Sequence, residues 1–423
     1  MFEKIVKIFQ SKDLRNKILY VFALMVVFRL AAHLPIPGVD AEKLRLFFEN
    51  NQLFGLLNIF SGGGLSNLSI VMLGVGPYIT SSIIMQLLTM IFPQMKEMYH
   101  ESGEAGRQKF NQYTRILTVP FALLQAYGML ALFQNQGILD PMAPKVLLSA
   151  LIVVTAGTIF LMWLGELMSE QGIGNGISLI IFAGIVSGIP QTIREVALSW
   201  DASKIPTYAG FLVLSILVVA GIVLVTEAQR NISISYAKRV RGGKMYGGVN
   251  TYLPLKVNSA GMIPIIFAMS IMLFPGIIGS FLTNAKNHWV ALVATKITEL
   301  FSNQTFYGFF YFILVALFTF FYTAIVFEPK AVADNLQKQG GFIPGIRPGN
   351  STKDYLSYVI NRITLAGAVF LGIIAVLPFI GQAITHTANL VLGGAAVLIV
   401  VGVVLDTMRQ IESQIITRDY EKY

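Results

Sequence analysis

Long apolar runs alternate with short polar or basic stretches along the chain. A helix needs about 20 mostly apolar residues to cross roughly 30 Å of hydrocarbon. Ten runs approach that length: Ile18–Leu34, Ile70–Phe92, Ile116–Phe133, Val146–Met168, Ile177–Ile193, Tyr208–Thr226, Asn258–Leu282, Phe306–Phe327, Ile363–Ile380 and Leu390–Leu405. The expected fold class is therefore an all-α polytopic membrane protein. Prolines at 77, 120, 190, 264, 275 and 378 fall within these runs. Membrane helices tolerate them because neighbours satisfy the freed carbonyls.

One apolar stretch does not fit the pattern. Leu53–Phe60 is too short to cross, and Ser61, Gly62, Gly63 and Gly64 cut it off. Such a segment either re-enters the membrane buried in protein or lies on the outer surface. Spacing alone leaves both readings open.

Charge adds direction. The segments sharing a side with the N-terminus hold 23 of the 31 Lys and Arg, and those opposite hold 7. By the positive-inside rule both termini are expected in the cytoplasm. A miscounted helix would swap every later loop and spoil that bias. Only 13% of residues are charged, against about 25% in soluble domains, so much of the surface is expected to face lipid. The net charge of +9 then reads as basic loops beside anionic lipid. No cleavable signal peptide is expected, because the basic N-terminus leads into an apolar span without a small-residue cleavage site.

Two loops on the basic side exceed what topology requires. Residues 227–256 carry Arg230, Lys238, Arg239, Arg241 and Lys244 against Glu227, and their paired glycines predict a folded hairpin. Residues 328–361 contain GGFIPGIRPG, with Arg347 between Pro344 and Pro348. Basic, structured protrusions suit ribosomal RNA or a motor protein.

Catalytic chemistry is scarce. With no Cys, disulfides and thiol catalysis are excluded. Arg29 lies near the outer end of its span, where it is expected to snorkel to the headgroups. Glu166 and Asp406 are expected at cytoplasmic helix ends, and the four His at span ends or in loops. The GIGNG run (Gly172–Gly176) follows a membrane helix rather than a strand, so it reads as a tight turn and not a phosphate loop. No nucleophile–base pair assembles, and no cofactor or metal is implied. A secondary transporter with inverted repeats is the alternative function, but it requires ionisable groups at midplane.

Five motifs carry a family resemblance. LGVGPYITSSIIMQLL (Leu73–Leu88), GIGNGISLIIFAGIV (Gly172–Val186), Tyr236–Pro275, GGFIPGIRPG (Gly340–Gly349) and GGAAVLIVVGVVLD (Gly393–Asp406) resemble, in order, segments of the SecY family of protein-translocation channels. The resemblance implies ten helices in two inverted pseudo-symmetric halves, 1–193 and 194–423, around an hourglass pore. It implies an aliphatic ring of Val75, Ile79, Ile181, Ile185, Ile266 and Ile399. Val75 stands where the family has Ile, and Gly76 where it has a larger residue. Residues 53–67 would form the plug, including Leu53, Phe54, Leu56, Leu57, Ile59, Phe60, Ser61, Gly62, Gly63, Gly64 and Leu65, which settles the re-entrant reading. Thr80, Gln86, Ser270 and Phe274 would line a lateral gate. Arg239, Arg241, Lys244 and Arg347 would contact SecA or the ribosome. Implied partners are SecE, SecG, the SecA ATPase, the ribosome, signal peptides, unfolded preproteins and membrane lipids, with no DNA. The implied function is passage of unfolded preproteins across, and of membrane spans sideways into, the bacterial plasma membrane.

Overall fold

Helices follow the apolar runs, with ends displaced wherever proline, glycine or a polar flank dictates. The structure, a computed structural model, describes residues 11–36, 61–65, 67–100, 102–135, 137–198, 205–236, 239–241, 244–246, 250–282, 288–385 and 394–421. It is mostly helical: α1 (Lys12–Ala31), α2 (Gly76–Ile91), α3 (Pro93–His100), α4 (Gly103–Asn135), α5 (Pro144–Glu170), α6 (Gly176–Leu198), α7 (Ile205–Glu227), α8 (Ile263–Leu282), α9 (His288–Ser302), α10 (Gln304–Val326), α11 (Pro329–Lys338), α12 (Asn350–Thr385) and α13 (Gly394–Glu421). Strands are β1 (Gln229–Tyr236), β2 (Arg239–Arg241), β3 (Lys244–Tyr246), β4 (Asn250–Lys256) and β5 (Gly341–Phe342).

Among the described residues, five helices are long and apolar enough to cross a membrane; they lie in α4, α5, α7, α10 and α12. Gly76–Ile91, Gly176–Pro190 and Ile263–Met272 are apolar but shorter. The run from Ile70 loses its first turn because Gly74 takes φ +56°, a left-handed conformation that stops a right-handed helix. Pro77 consequently occupies the first turn of α2, where it costs no hydrogen bond. Pro120, Pro190, Pro275 and Pro378 remain inside continuous helices. α13 continues to Glu421, so Asp406 lies within a helix rather than at its end, 3.5 Å from Arg409.

The chain divides into two compact units. One comprises Met1–Lys204, Met269–Asn303 and Ala388–Tyr423; the other comprises Ile205–Ala268 and Gln304–Thr387. In the first, α2 packs on α4, α4 on α5, and α5 on α6, while α13 and α1 both pack on α6. Glycine permits close approach at two places. A Cβ on Gly157 of α5 would stand 2.0 Å from the Ile70 carbonyl oxygen, and one on Gly176 would stand 1.8 Å from that of Gly165. The GIGNG run is the α5–α6 turn. Its Gly172 and Gly174 have φ of 69° and 140°, and the Gly176 amide donates to Ser169 Oγ at 2.8 Å. A core of Leu65, Leu68, Met72, Leu130, Phe133 and Val154 joins the turn before α2 to α4 and α5.

In the second unit, α10 packs on α12 along most of its length. α7 exposes Leu212, Val213, Ile216, Leu217 and Leu224. An apolar helix exposed over so much of its surface is at home in lipid, not water.

Backbone oxygens leave no room for an added methyl at Gly157 or Gly176. Gly157→Ala and Gly176→Ala should each lower stability by about 1–3 kcal/mol through overpacking. Gly210→Ala, with nothing within 4 Å, should be neutral or stabilising by up to about 1 kcal/mol. Thermal denaturation of the solubilised protein checks the contrast.

Candidate functional site

Polar side chains in the first unit are used sparingly, mostly to satisfy their own helices. Thr80 Oγ1 donates to the Gly76 carbonyl (3.1 Å) and Ser81 Oγ to that of Pro77 (2.9 Å). Thr114 and Thr118 do the same in α4, and Thr319 and Thr323 in α10 of the other unit. Thr80 does more. Gln125 of α4, itself buried, donates from Nε2 to Thr80 Oγ1 at 3.2 Å, a polar link between α2 and α4. Between α4 and α5, Arg115 Nε meets Glu166 Oε1 at 2.5 Å.

The segment after α1 returns on itself. Pro35 bridges Ser69, the Ile36 amide donates to the Leu68 carbonyl (2.8 Å), and the Ile70 amide donates to that of Leu34 (2.9 Å). The turn of Ser61–Leu65 is buried against α1. Gly62 and Gly63 have φ of 67° and 81°, and the Arg29 guanidinium donates to the Gly62 carbonyl. Arg29 therefore does not merely snorkel, as its position predicted. Its charge is aimed inward at a backbone oxygen.

Buried aliphatic side chains mark the helix interiors. Val75 caps the start of α2, and the Ile79 amide donates to its carbonyl (3.1 Å), so the two are one turn apart. Ile181 and Ile185 are buried on α6, and Ile399 is fully buried on α13, which packs on α6. Ile266 is buried on α8 but belongs to the other unit.

The basic loops fold together in the second unit. β1 pairs antiparallel with β4, Ile232 opposite Leu253, and on its other edge with β5, Tyr236 opposite Gly341. β2 and β3 pair as the predicted hairpin, Arg239 opposite Tyr246 and Arg241 opposite Lys244. Under the sheet lies a core of Ile232, Leu255, Ile343, Leu356, Val359 and Ile360. Arg347 lies beyond it; its carbonyl accepts from Thr352 Oγ1 (3.0 Å), and Gly345 and Gly349 flank it at φ 83° and 96°.

The SecY family model matches residues 69–408. The protein translocase subunit SecY of Streptomyces galbus is 42% identical over 437 residues, covering 98% of each chain. The chain belongs to the SecY family. Its fold is also that of solved SecY-family channels. A structure concerning the SecY plug domain, which stabilises the closed state of that channel, matches with TM-score 0.62 and 20% identity, covering 94% of this chain and 91% of the other. Sec61 in the canine ribosome–channel complex matches with TM-score 0.61 and 20% identity, again over 94% and 91%. SecY proteins are multi-pass membrane channel subunits, not enzymes, and membership disfavours the transporter alternative.

Of the SecY-family positions, Leu53, Phe54, Leu56, Leu57, Ile59 and Phe60 lie outside the described residues, as does the side chain of Phe274. Gln86 is half-buried, and its Oε1 has no hydrogen-bond partner among the described residues; Ser270 is buried. Arg239, Arg241 and Lys244 are placed as strand residues only. Sequence reasoning missed Gln125 and the direction of Arg29. The signal for Gln125 was a lone amide inside an apolar span, which has to find a partner.

Thr80→Val should strand the Gln125 amide and cost about 1–3 kcal/mol. Thr80→Ser should retain the acceptor and most of the stability. Denaturant titration of the two variants in detergent separates them.

Proposed function

We propose that the chain is the pore subunit of a protein-conducting channel in a bacterial plasma membrane, with both termini cytoplasmic. It passes unfolded preproteins outward and releases membrane spans sideways into lipid. The match to a translocase subunit along 98% of both chains carries this reading. Ten spans in two inverted halves, 1–193 and 194–423, surround the pore. The shorter apolar helices cross where surrounding protein, rather than lipid, covers their ends.

The ring of Val75, Ile79, Ile181, Ile185, Ile266 and Ile399 seals by dewetting. A narrow apolar constriction repels hydrated ions yet imposes no geometry on an unfolded chain. The plug of residues 53–67 adds a second closure, a role that the plug domain has in the related channel. Helices α2 and α8, through Thr80, Gln86, Ser270 and Phe274, form the lateral gate for signal peptides. The joined basic loops, through Arg239, Arg241, Lys244 and Arg347, receive the SecA ATPase or the ribosome; a relative is seen in a ribosome–channel complex. Ribosomal RNA phosphates suit these charges. SecE and SecG complete the assembly. Energy comes from the partner, since conduction through the ring is passive.

Liposomes containing the chain with SecE test the function directly. A signal-bearing preprotein should enter on addition of SecA and ATP, and solute uptake driven by an ion gradient would instead establish a transporter. Ile399→Asn should admit water at the ring and raise resting ion conductance several-fold; unchanged conductance in planar bilayers refutes the ring at that position. Arg347→Glu should abolish SecA-driven transport with little effect on folding, because a surface-loop substitution typically changes stability by less than about 0.5 kcal/mol. Thr80→Cys with Phe274→Cys should oxidise in the closed channel, since a disulfide requires Cα atoms within about 7 Å. Transport should then stop, and reduction should restore it.

A further inference from the structure

Arg29 is a charge inside a membrane helix that the proposed route for the preprotein does not use. An intramembrane charge is costly and is kept where it has a partner and a task. Its partner here is the carbonyl of Gly62, to which the guanidinium donates. The next residue back along α1 makes a second, independent contact. Phe28 is fully buried, and its ring tip would stand 2.6 Å from any Cβ added to Gly62. From the other side Gly184 of α6 closes in, its Cα 3.1 Å from the same point. The turn is thus seated on two consecutive side chains of α1 and on the α6 backbone, and only glycine fits that seat at φ 67°.

We propose that Arg29 is a positioning residue that fastens the Ser61–Leu65 turn to α1 and thereby sets how firmly the channel rests in its closed state. The inference rests on the channel reading above, in which this turn ends the plug. When the turn lifts, the guanidinium loses an ionic hydrogen bond in surroundings with few replacements, and the carbonyl of Gly62 loses its donor. Both losses pull the turn back. A charge-assisted hydrogen bond is about twice as strong as a neutral one, so an apolar or neutral residue at 29 weakens this return. A signal peptide then opens the channel against a smaller resistance.

The test uses the chain's lack of Cys. Ser61→Cys places its single thiol in the turn, where Ser61 is buried. Reconstituted with SecE in liposomes, this variant should react slowly with a membrane-impermeant maleimide. Adding Arg29→Met should speed alkylation and raise resting ion conductance, each several-fold, and should let preproteins with defective signals through. Arg29→Gln should fall between, and Arg29→Lys, which keeps the charge, should lie nearest the parent. Equal alkylation rates with and without the Arg29→Met substitution overturn the proposal. So does loss of folded protein in both Arg29→Met and Arg29→Gln, which would make the role purely structural. Alkylation is read without transport, so failure of the parent complex to move a preprotein would count against the channel reading alone.

Discussion

A backbone crossing lipid must satisfy its hydrogen bonds from within, because hydrocarbon offers neither donors nor acceptors. That constraint explains why the apolar runs are helical, and also the form of the exceptions. Proline at 120, 190, 275 and 378 stays inside its helix, where each frees only one carbonyl of an otherwise intact ladder. Hydroxyls bond to carbonyls of their own helix, as at Ser81, Thr118 and Thr323. In the non-helical stretches 61–65 and 67–75 of the first unit, glycine supplies left-handed turns and the bridge between Pro35 and Ser69 ties the departing chain to the returning one.

Packing follows from the same scarcity. Apolar side chains gain little by leaving lipid for one another, so helices associate through close backbone approach and a few polar links. Gly157 and Gly165 of α5 are sites of such approach, the first against the Ile70 carbonyl and the second against Ile177. The Gln125–Thr80 link is the polar counterpart between α2 and α4.

How much was legible in the sequence depended on whether the cause was local. Hydropathy located the centres of the helices well, since burial in lipid is set by composition within each run. Their ends were less legible: α12 begins at Asn350 and α13 runs to Glu421, because a polar helix can continue past the membrane without any apolar signal. The amphipathic helix His288–Ser302 was missed for a related reason, being too short and too mixed to score as a span. For Arg29 the residue was conspicuous, but its direction depended on a turn 33 positions away. Nothing in the spacing of 227–256 and 328–361 announced that β5 would pair with β1, since pairing across such a separation leaves no periodic trace.

That pairing has a mechanical consequence. β1 continues almost directly from α7, and β5 leads through the Arg347 turn into α12, so the sheet ties the chain leaving α7 to the chain entering α12. The β1–β5 pairing gives a load on either loop a path into the other. The hydrophobic layer of Ile232, Leu255 and Leu356 beneath the sheet supports that tie. A force on the Arg347 turn would thus have a path to α7 through the sheet as well as to α12 along the chain.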